Sequence, residues 1–228
     1  MNIAIIPARG GSKRIPRKNI KEFHGKPMIA YSIESALESN LFSEVYVSTD
    51  DEEITEIATK YGAKVPFKRP VYLSDDHTAT VPVVKHAITE VVKRNETVEL
   101  VCCIYATAPF IQRSTLIKAY DLILGSKYDF CFPVTEFDYA IQRALVMQKN
   151  SQVSMLDSSQ YDIRSQDLDV YYHDVGQFYF GRKDAWLKEK PIFSSNSIAV
   201  PIPRKFAQDI DTQEDWEIAE HLYKLVNG

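Results

Sequence analysis

The chain has 228 residues, 45% of them hydrophobic and 25% charged, with 27 basic against 31 acidic side chains and a net charge of −4. That length and apolar content suit one domain with a sizeable core and exclude disorder as the main state. No apolar run approaches the roughly 18 residues of a membrane span, and the acidic balance argues against a dedicated nucleic-acid binder.

Residues 2–6 form an apolar run closed by Pro7, which predicts a buried parallel strand. The run lacks a basic leader and meets charge by Arg9, so no signal peptide is expected and a cytoplasmic protein is the natural reading. A polar, glycine-containing loop follows. Residues 28–37 space apolar side chains as a helix does, residues 44–48 predict a strand, and residues 51–61 a helix capped by Asp50 or Asp51. A longer helix is predicted over 80–94, a buried strand over 99–105, a helix over 114–124 with Ser114 as its N-cap, and a strand over 129–134. Strand–helix units with short connections specify an α/β protein: a mainly parallel sheet flanked by helices, Rossmann-like in plan. From Glu136 to about Tyr172 the chain turns polar, with an extended piece over 141–147, and residues 136–172 are read as an insertion or dimerisation arm within a single domain spanning 1–228. A strand resumes over 175–180, residues 198–200 look extended, and a helix over 211–225 closes the chain. Cys102, Cys103 and Cys131 are odd in number, apolar in surroundings and without CxxC spacing, so buried reduced thiols are expected.

The charge is unevenly spread. Residues 1–26 hold seven cations against Glu22 alone, a local +6, leaving −10 on the remainder. Five of those cations fall in Arg9-Gly10-Gly11-Ser12-Lys13-Arg14-Ile15-Pro16-Arg17-Lys18, followed by Asn19, on a loop leaving the C-terminal end of the first strand. Open α/β sheets bind ligands at that end. Gly10-Gly11 would permit positive φ and bring peptide N–H groups close to an anion, and a triphosphate matches the loop in size and charge. The neighbouring lysine and serine do not form GxxxxGK[ST], and GxGxxG is absent, so neither a P-loop kinase nor a dinucleotide site is indicated. A solvated basic loop is the plain alternative; the adjoining buried strand, the paired glycines and two prolines favour a phosphate cradle.

The stretch PARGGSKRIPRKNI followed by FHGKPMIAYSI strongly resembles the N-terminal signature of the cytidylyltransferases that activate nine-carbon keto-sugar acids, the N-acylneuraminate family. KRIPRKN and the IYATAPF segment at 104–110 look more like its pseudaminic acid branch, and RSQDL at 164–168, GQFYF at 176–180 and DIDT at 209–212 extend the likeness over most of the chain. The resemblance implies a nucleotidyltransferase fold and a reaction in which CTP and the anomeric hydroxyl of a keto-sugar acid give a CMP-sugar and pyrophosphate. It also implies Mg²⁺, a homodimer, and a product used for surface glycan or flagellin glycosylation. N-acetylneuraminate, legionaminate or a 3-deoxy-octulosonate are alternative acceptors. A nucleotide-binding module without chemistry stands further off.

On that resemblance Arg9, Gly10, Gly11, Ser12 and Lys13 line the triphosphate, Lys18 sits near the α-phosphate as a catalytic cation with Arg9, and Asn19 holds phosphate or ribose. Arg69 lies against the cytosine, or else is a surface charge before a proline turn, with Ser74-Asp75-Asp76 closing that side, while His77 in a polar loop reads as solvated. Asp209 and Asp211, alternating about an inward Ile210, would present two carboxylates to Mg²⁺. Asp211 could instead cap the last helix, with Glu214 at the capping-box position. Tyr105 replaces an amide found in sialic acid enzymes and suits a less hydroxylated sugar. Arg164, Gln166, Gln177 and Tyr179 are candidates for the sugar carboxylate or amides, the first two across a dimer, or else for packing within the arm.

Overall fold

A computed structural model describes residues 1–94 and 97–227. The strands are β1 (Asn2–Pro7), β2 (Glu22–Phe23), β3 (Lys26–Pro27), β4 (Glu44–Ser48), β5 (Leu100–Ile104), β6 (Phe130–Glu136), β7 (Leu145–Met147), β8 (Val153–Met155), β9 (Tyr172–Asp174), β10 (Phe178–Arg182) and β11 (Ser197–Pro201). The helices are α1 (Met28–Ser39), α2 (Glu52–Lys60), α3 (Thr80–Val92), α4 (Arg113–Leu124), α5 (Lys183–Leu187) and α6 (Gln213–Asn227).

The main sheet runs β11-β6-β10-β5-β1-β4, with β9 paired to β6. β1 pairs in parallel with both β4 and β5, and β11 with β6, whereas β10 and β9 run antiparallel to their neighbours. The expected mainly parallel α/β sheet is therefore present. Its β1 is buried on both faces: Ala4 and Ile6 pack with α1, α2 and α4, while Ile3 and Ile5 pack with α3 and α5. The chain steps from β1 to β4 on one side and to β5 on the other, so the strand order reverses at the C-terminal end of β1. That switch point is where the cationic loop departs.

A third apolar cluster lies outside the sheet. Ile15 from the loop, Ile210, Phe110, Phe23, and Trp216 and Ala219 of α6 are all buried together. Ile15 and Ile210 thus pin the 9–19 loop and the 209–211 segment to one another, which turns their polar neighbours into a common space.

Three expectations change. Arg113–Leu124 starts after Gln112 with no side-chain cap, so Ser114 lies inside the helix and is not its N-cap. The strand expected over 175–180 is instead β10 at Phe178–Arg182, because Gly176 takes φ 61° and breaks the extended run after β9. Of the extended piece expected over 141–147, Ile141–Arg143 is a 3-10 turn and only Leu145–Met147 is strand. β7 and β8 form a small separate hairpin within the excursion between β6 and β9, whose ends are joined by a Phe137 N–H to Tyr171 carbonyl bond of 3.1 Å. All three cysteines are free and buried. Among the described residues, no helix is long and apolar enough to cross a membrane.

Candidate active site

A cleft of about 360 Å³ opens at the C-terminal ends of β1 and β5. Nine of the candidate side chains line it: Arg9, Ser12, Lys13, Lys18, Asn19, Arg69, Tyr105, Asp209 and Asp211. Asp75, Asp76, Thr78, Thr80 and Thr107 complete much of the polar wall.

The loop is held by its own side chains. Asn19 is buried, and its amide donates to the Arg9 carbonyl at 2.9 Å, closing the loop on itself. Gly10 and Gly11 do not adopt positive φ; the left-handed residue of this loop is Arg17, at φ 55°. Gly10 is required for space instead, since a Cβ there would lie 2.5 Å from Asp51 Oδ2. The Gly10 N–H donates to Asp50 Oδ1 at 3.1 Å, so it serves loop structure in this state. Asp51 caps α2 by accepting from the Ile54 N–H, and it also pairs with both terminal nitrogens of Arg17 at 2.5 and 3.0 Å. The Arg17 guanidinium, with the Ile54 N–H, holds the Asp51 carboxyl down at about 2.

Lys18 crosses the cleft. Its ammonium donates to the Ile210 carbonyl at 2.5 Å and to Asp211 Oδ1 at 3.2 Å, and Arg14 meets the same carboxylate oxygen at 3.0 Å. Asp211 is therefore not the helix cap. Thr212 and Asp215 form the capping box of α6: the Asp215 N–H donates to Thr212 Oγ1 at 3.2 Å, and Asp215 Oδ2 accepts from the Thr212 N–H at 2.7 Å. Ile210 is fully buried between Asp209 and Asp211, as its position between two cleft carboxylates requires. Asp209 keeps an open edge to solvent, yet the protein packed around it and the charge of Asp211 raise its carboxyl above the usual range.

Opposite, Arg9 meets Asp76 at 2.6 Å and Lys13 pairs with the same carboxylate. Arg69 is 4% exposed, bonded through Nε to Ser48 Oγ at 3.2 Å and to the Ser48 carbonyl, with no ion pair among the described residues. Burial pushes its guanidinium down to about 10, and the neighbouring Arg9 adds to the effect. The charge of Asp50 acts on it without forming an ion pair, so Arg69 is a buried cation on the cleft wall beside a second arginine.

The remaining candidates lie elsewhere. Gln177 is buried and donates to the Phe206 carbonyl. Tyr179 is buried behind Tyr105, their rings 5.4 Å apart, and its hydroxyl donates to Asp174 Oδ2 at 2.5 Å. Neither lines the cleft. Arg164 and Gln166 are exposed on the excursion between β6 and β9, Arg164 paired with Asp167 at 2.7 Å. Asp174, the last residue of β9 and the partner of the Tyr179 hydroxyl, went unnoticed in the sequence.

Cations, a buried arginine and two carboxylates gathered at the switch point of a mainly parallel sheet define a nucleotide-handling α/β enzyme. The chain belongs to the cytidylyltransferase family, whose model matches residues 3–227. It is 51% identical to the pseudaminic acid cytidylyltransferase of Campylobacter jejuni subsp. jejuni serotype O:23/36 (strain 81-176), over 98% of this chain and 97% of that protein. It is 34% identical to the N-acylneuraminate cytidylyltransferase of Escherichia coli O18:K1:H7, over 99% of this chain and 52% of that one. Among solved structures, a CMP:2-keto-3-deoxy-manno-octonic acid synthetase complexed with CTP superposes with a TM-score of 0.71 at 19% identity, covering 99% of both chains, a likeness of fold.

Proposed function

We propose that the protein transfers CMP from CTP to the anomeric hydroxyl of pseudaminic acid, releasing pyrophosphate, and so supplies an activated sugar for surface glycan or flagellin glycosylation. The observation that carries the reading is the convergence of Arg9, Lys13, Lys18 and the buried Arg69 on one cleft faced by Asp209 and Asp211. The likeness to the Campylobacter jejuni enzyme supports the choice of acceptor.

Attack on the α-phosphorus builds negative charge on phosphoryl oxygens and on the departing pyrophosphate, so catalysis is mostly positioning and electrostatic stabilisation. Arg9 and Lys13 bind the β- and γ-phosphates after exchanging Asp76 for them. Lys18 is a compact cation anchored at the Ile210 carbonyl, which keeps its charge near the reacting phosphorus at little entropic cost. Arg69, already desolvated, holds the nucleotide from the opposite wall.

Asp209 and Asp211 would hold Mg²⁺. They are hard oxygen donors lining one cleft, and burial, with the charge of Asp211 beside it, raises the Asp209 carboxyl, a cost that a divalent cation would relieve. Among the described residues no cluster of three or more His, Cys, Asp or Glu side chains is suited to a metal, so the other ligands would be water and phosphate oxygens. When bound, the ion would neutralise phosphate charge.

The excursion between β6 and β9 exposes Tyr139, Met147, Leu156 and Tyr161, each more than two-thirds uncovered, which suits burial against a second copy. A homodimer would bring Arg164 and Gln166 to the partner's sugar site. Three unpaired thiols suit a cytoplasmic setting.

The test is pyrophosphate release from CTP and Mg²⁺ with pseudaminate or N-acetylneuraminate as acceptor. Preferred turnover of pseudaminate is expected. Equal or better turnover of N-acetylneuraminate overturns the acceptor, and CTP binding without pyrophosphate release from any acceptor overturns the enzyme reading.

A further inference from the structure

Among the described residues five cations line the cleft, and the proposed chemistry uses four of them, Arg9, Lys13, Lys18 and Arg69. The fifth is Arg14. Its side chain is 66% exposed, but its backbone is fixed, because Ile15 next to it is buried with Ile210 in the third apolar cluster. Lys13 and Arg14 are neighbours in the chain and part company at the cleft. Lys13 joins Arg9 on Asp76, whereas Arg14 reaches Asp211. There it meets, at 3.0 Å, the same Oδ1 that accepts from Lys18 at 3.2 Å, so the two cationic heads lie side by side. Lys18 has a second anchor in the Ile210 carbonyl. Among the described residues Arg14 has only the Asp211 carboxylate, a pairing open to water and weakly held for that reason.

The acceptor class dictates what a second cation beside Lys18 is for. In a 2-keto sugar acid one carbon bears both the anomeric hydroxyl and the carboxylate. Attack of that hydroxyl on the α-phosphorus therefore brings the carboxylate up against the phosphate charge, and a cation is needed between them. In-line displacement also puts the incoming oxygen on the side away from the pyrophosphate. Arg9 and Lys13, assigned to the pyrophosphate, are drawn to the Asp76 wall, and Lys18 is committed to the α-phosphate. The cation left beside the reacting centre is Arg14. We propose that Arg14 binds the carboxylate of the acceptor sugar, exchanging the Asp211 carboxylate for it, and so selects sugar acids over neutral sugars and seats the anomeric hydroxyl for attack. A planar guanidinium takes a carboxylate through two parallel N–H bonds, which fixes orientation as well as charge. Asp211 stays paired with Lys18 when Arg14 leaves it. The inference rests on the proposed transfer to a keto-sugar acid and deepens it. Every acceptor of that class carries the carboxylate, so the role of Arg14 is independent of which sugar is the natural one.

Arg14→Gln removes the charge from an exposed side chain and leaves Ile15 in place, so the circular dichroism spectrum should not change. KM for pseudaminate is expected to rise at least about tenfold, while KM for CTP stays within about twofold. The decisive comparison sets pseudaminate against its C1 carboxamide, which has the same shape without the charge. Wild-type protein should favour the acid at least about tenfold in kcat/KM, and in Arg14→Gln the preference should shrink to within about threefold. Unchanged KM for pseudaminate, an equal rise in both KM values, or survival of the preference in Arg14→Gln overturns the proposal. A preference that disappears in Arg164→Ala and survives in Arg14→Gln overturns it in favour of the excursion between β6 and β9. Should wild-type protein turn over N-acetylneuraminate and not pseudaminate, the proposed sugar falls, and the same comparison of acid with carboxamide, made on N-acetylneuraminate, decides the role of Arg14. Should no acceptor release pyrophosphate, the proposed reaction falls, and calorimetric titration of pseudaminate into protein with CTP decides. Binding that Arg14→Gln weakens upholds the carboxylate site; equal binding to both proteins, or none to wild type, overturns it.

Discussion

Lys18 has two partners that a freely solvated lysine would lack, the Ile210 carbonyl and Asp211. Lys18→Met preserves much of the packing and removes the charge. Its kcat is expected to fall by at least about a hundredfold, as when other preorganised electrostatic donors are deleted, with the circular dichroism spectrum unchanged. A kcat near wild type would remove Lys18 from the chemistry. Asp76 has the opposite sign of effect. It holds Arg9 and Lys13 where phosphates must enter, so Asp76→Asn should lower the Kd for CTP a few-fold at low ionic strength. Titration calorimetry at two salt concentrations reads this, and the gain should shrink at high salt. Weaker CTP binding in Asp76→Asn would mean that the carboxylate assists the nucleotide.

The cationic loop and α2 behave as one element through the Arg17–Asp51 pair, and its stability carries a pH signature. Asp51 sits at about 2 in the folded chain against an ordinary 3.8. A depressed carboxyl contributes stability that is complete above its unfolded value and is lost as pH falls through the window from about 4 to about 2. Asp51→Asn keeps the cap on Ile54 but not the charge. Unfolding free energies from urea titrations should therefore differ by about 1 kcal/mol at pH 7 and converge near pH 2. A gap that persists in acid would assign the effect to packing. The sequence made β1, β4 and α2 legible, because buried parallel strands and a capped amphipathic helix are local patterns. The cleft was legible in its cations for the same reason: a dense run of charge beside a buried strand is visible without coordinates. What escaped was relational. Gly10 looked like a residue chosen for φ, but its neighbour Asp51 explains it, forty-one positions away. Asp211 read equally as a helix cap or a cation ligand, and only the Asp215 N–H bond to Thr212 and the contact of Asp211 with Lys18 remove it from the cap. Gly176 ends β9 and delays β10 by a conformation that an apolar run does not advertise.

At the scale of the molecule, the excursion between β6 and β9 leaves Leu145, Met147 and Val153 of its hairpin more than half exposed. If the proposed homodimer uses this hairpin, Met147→Glu/Val153→Lys should leave the monomer folded and shift the sedimentation coefficient from dimer to monomer. Unchanged sedimentation at micromolar concentration would exclude this hairpin as the contact.

The three thiols carry a consequence of their own. Cys102, Cys103 and Cys131 sit at the centre of the sheet with no exposed surface, and burial raises each well above the ordinary thiol range, Cys131 to about 12. Thiolate is the reactive form, so in the native state alkylating and oxidising agents meet inert sulfur. These cysteines are consequently internal reporters of opening. The rate of maleimide capture in dilute denaturant measures how often the sheet opens around β5 and β6, and bound CTP should slow that capture if the cleft and the sheet open together.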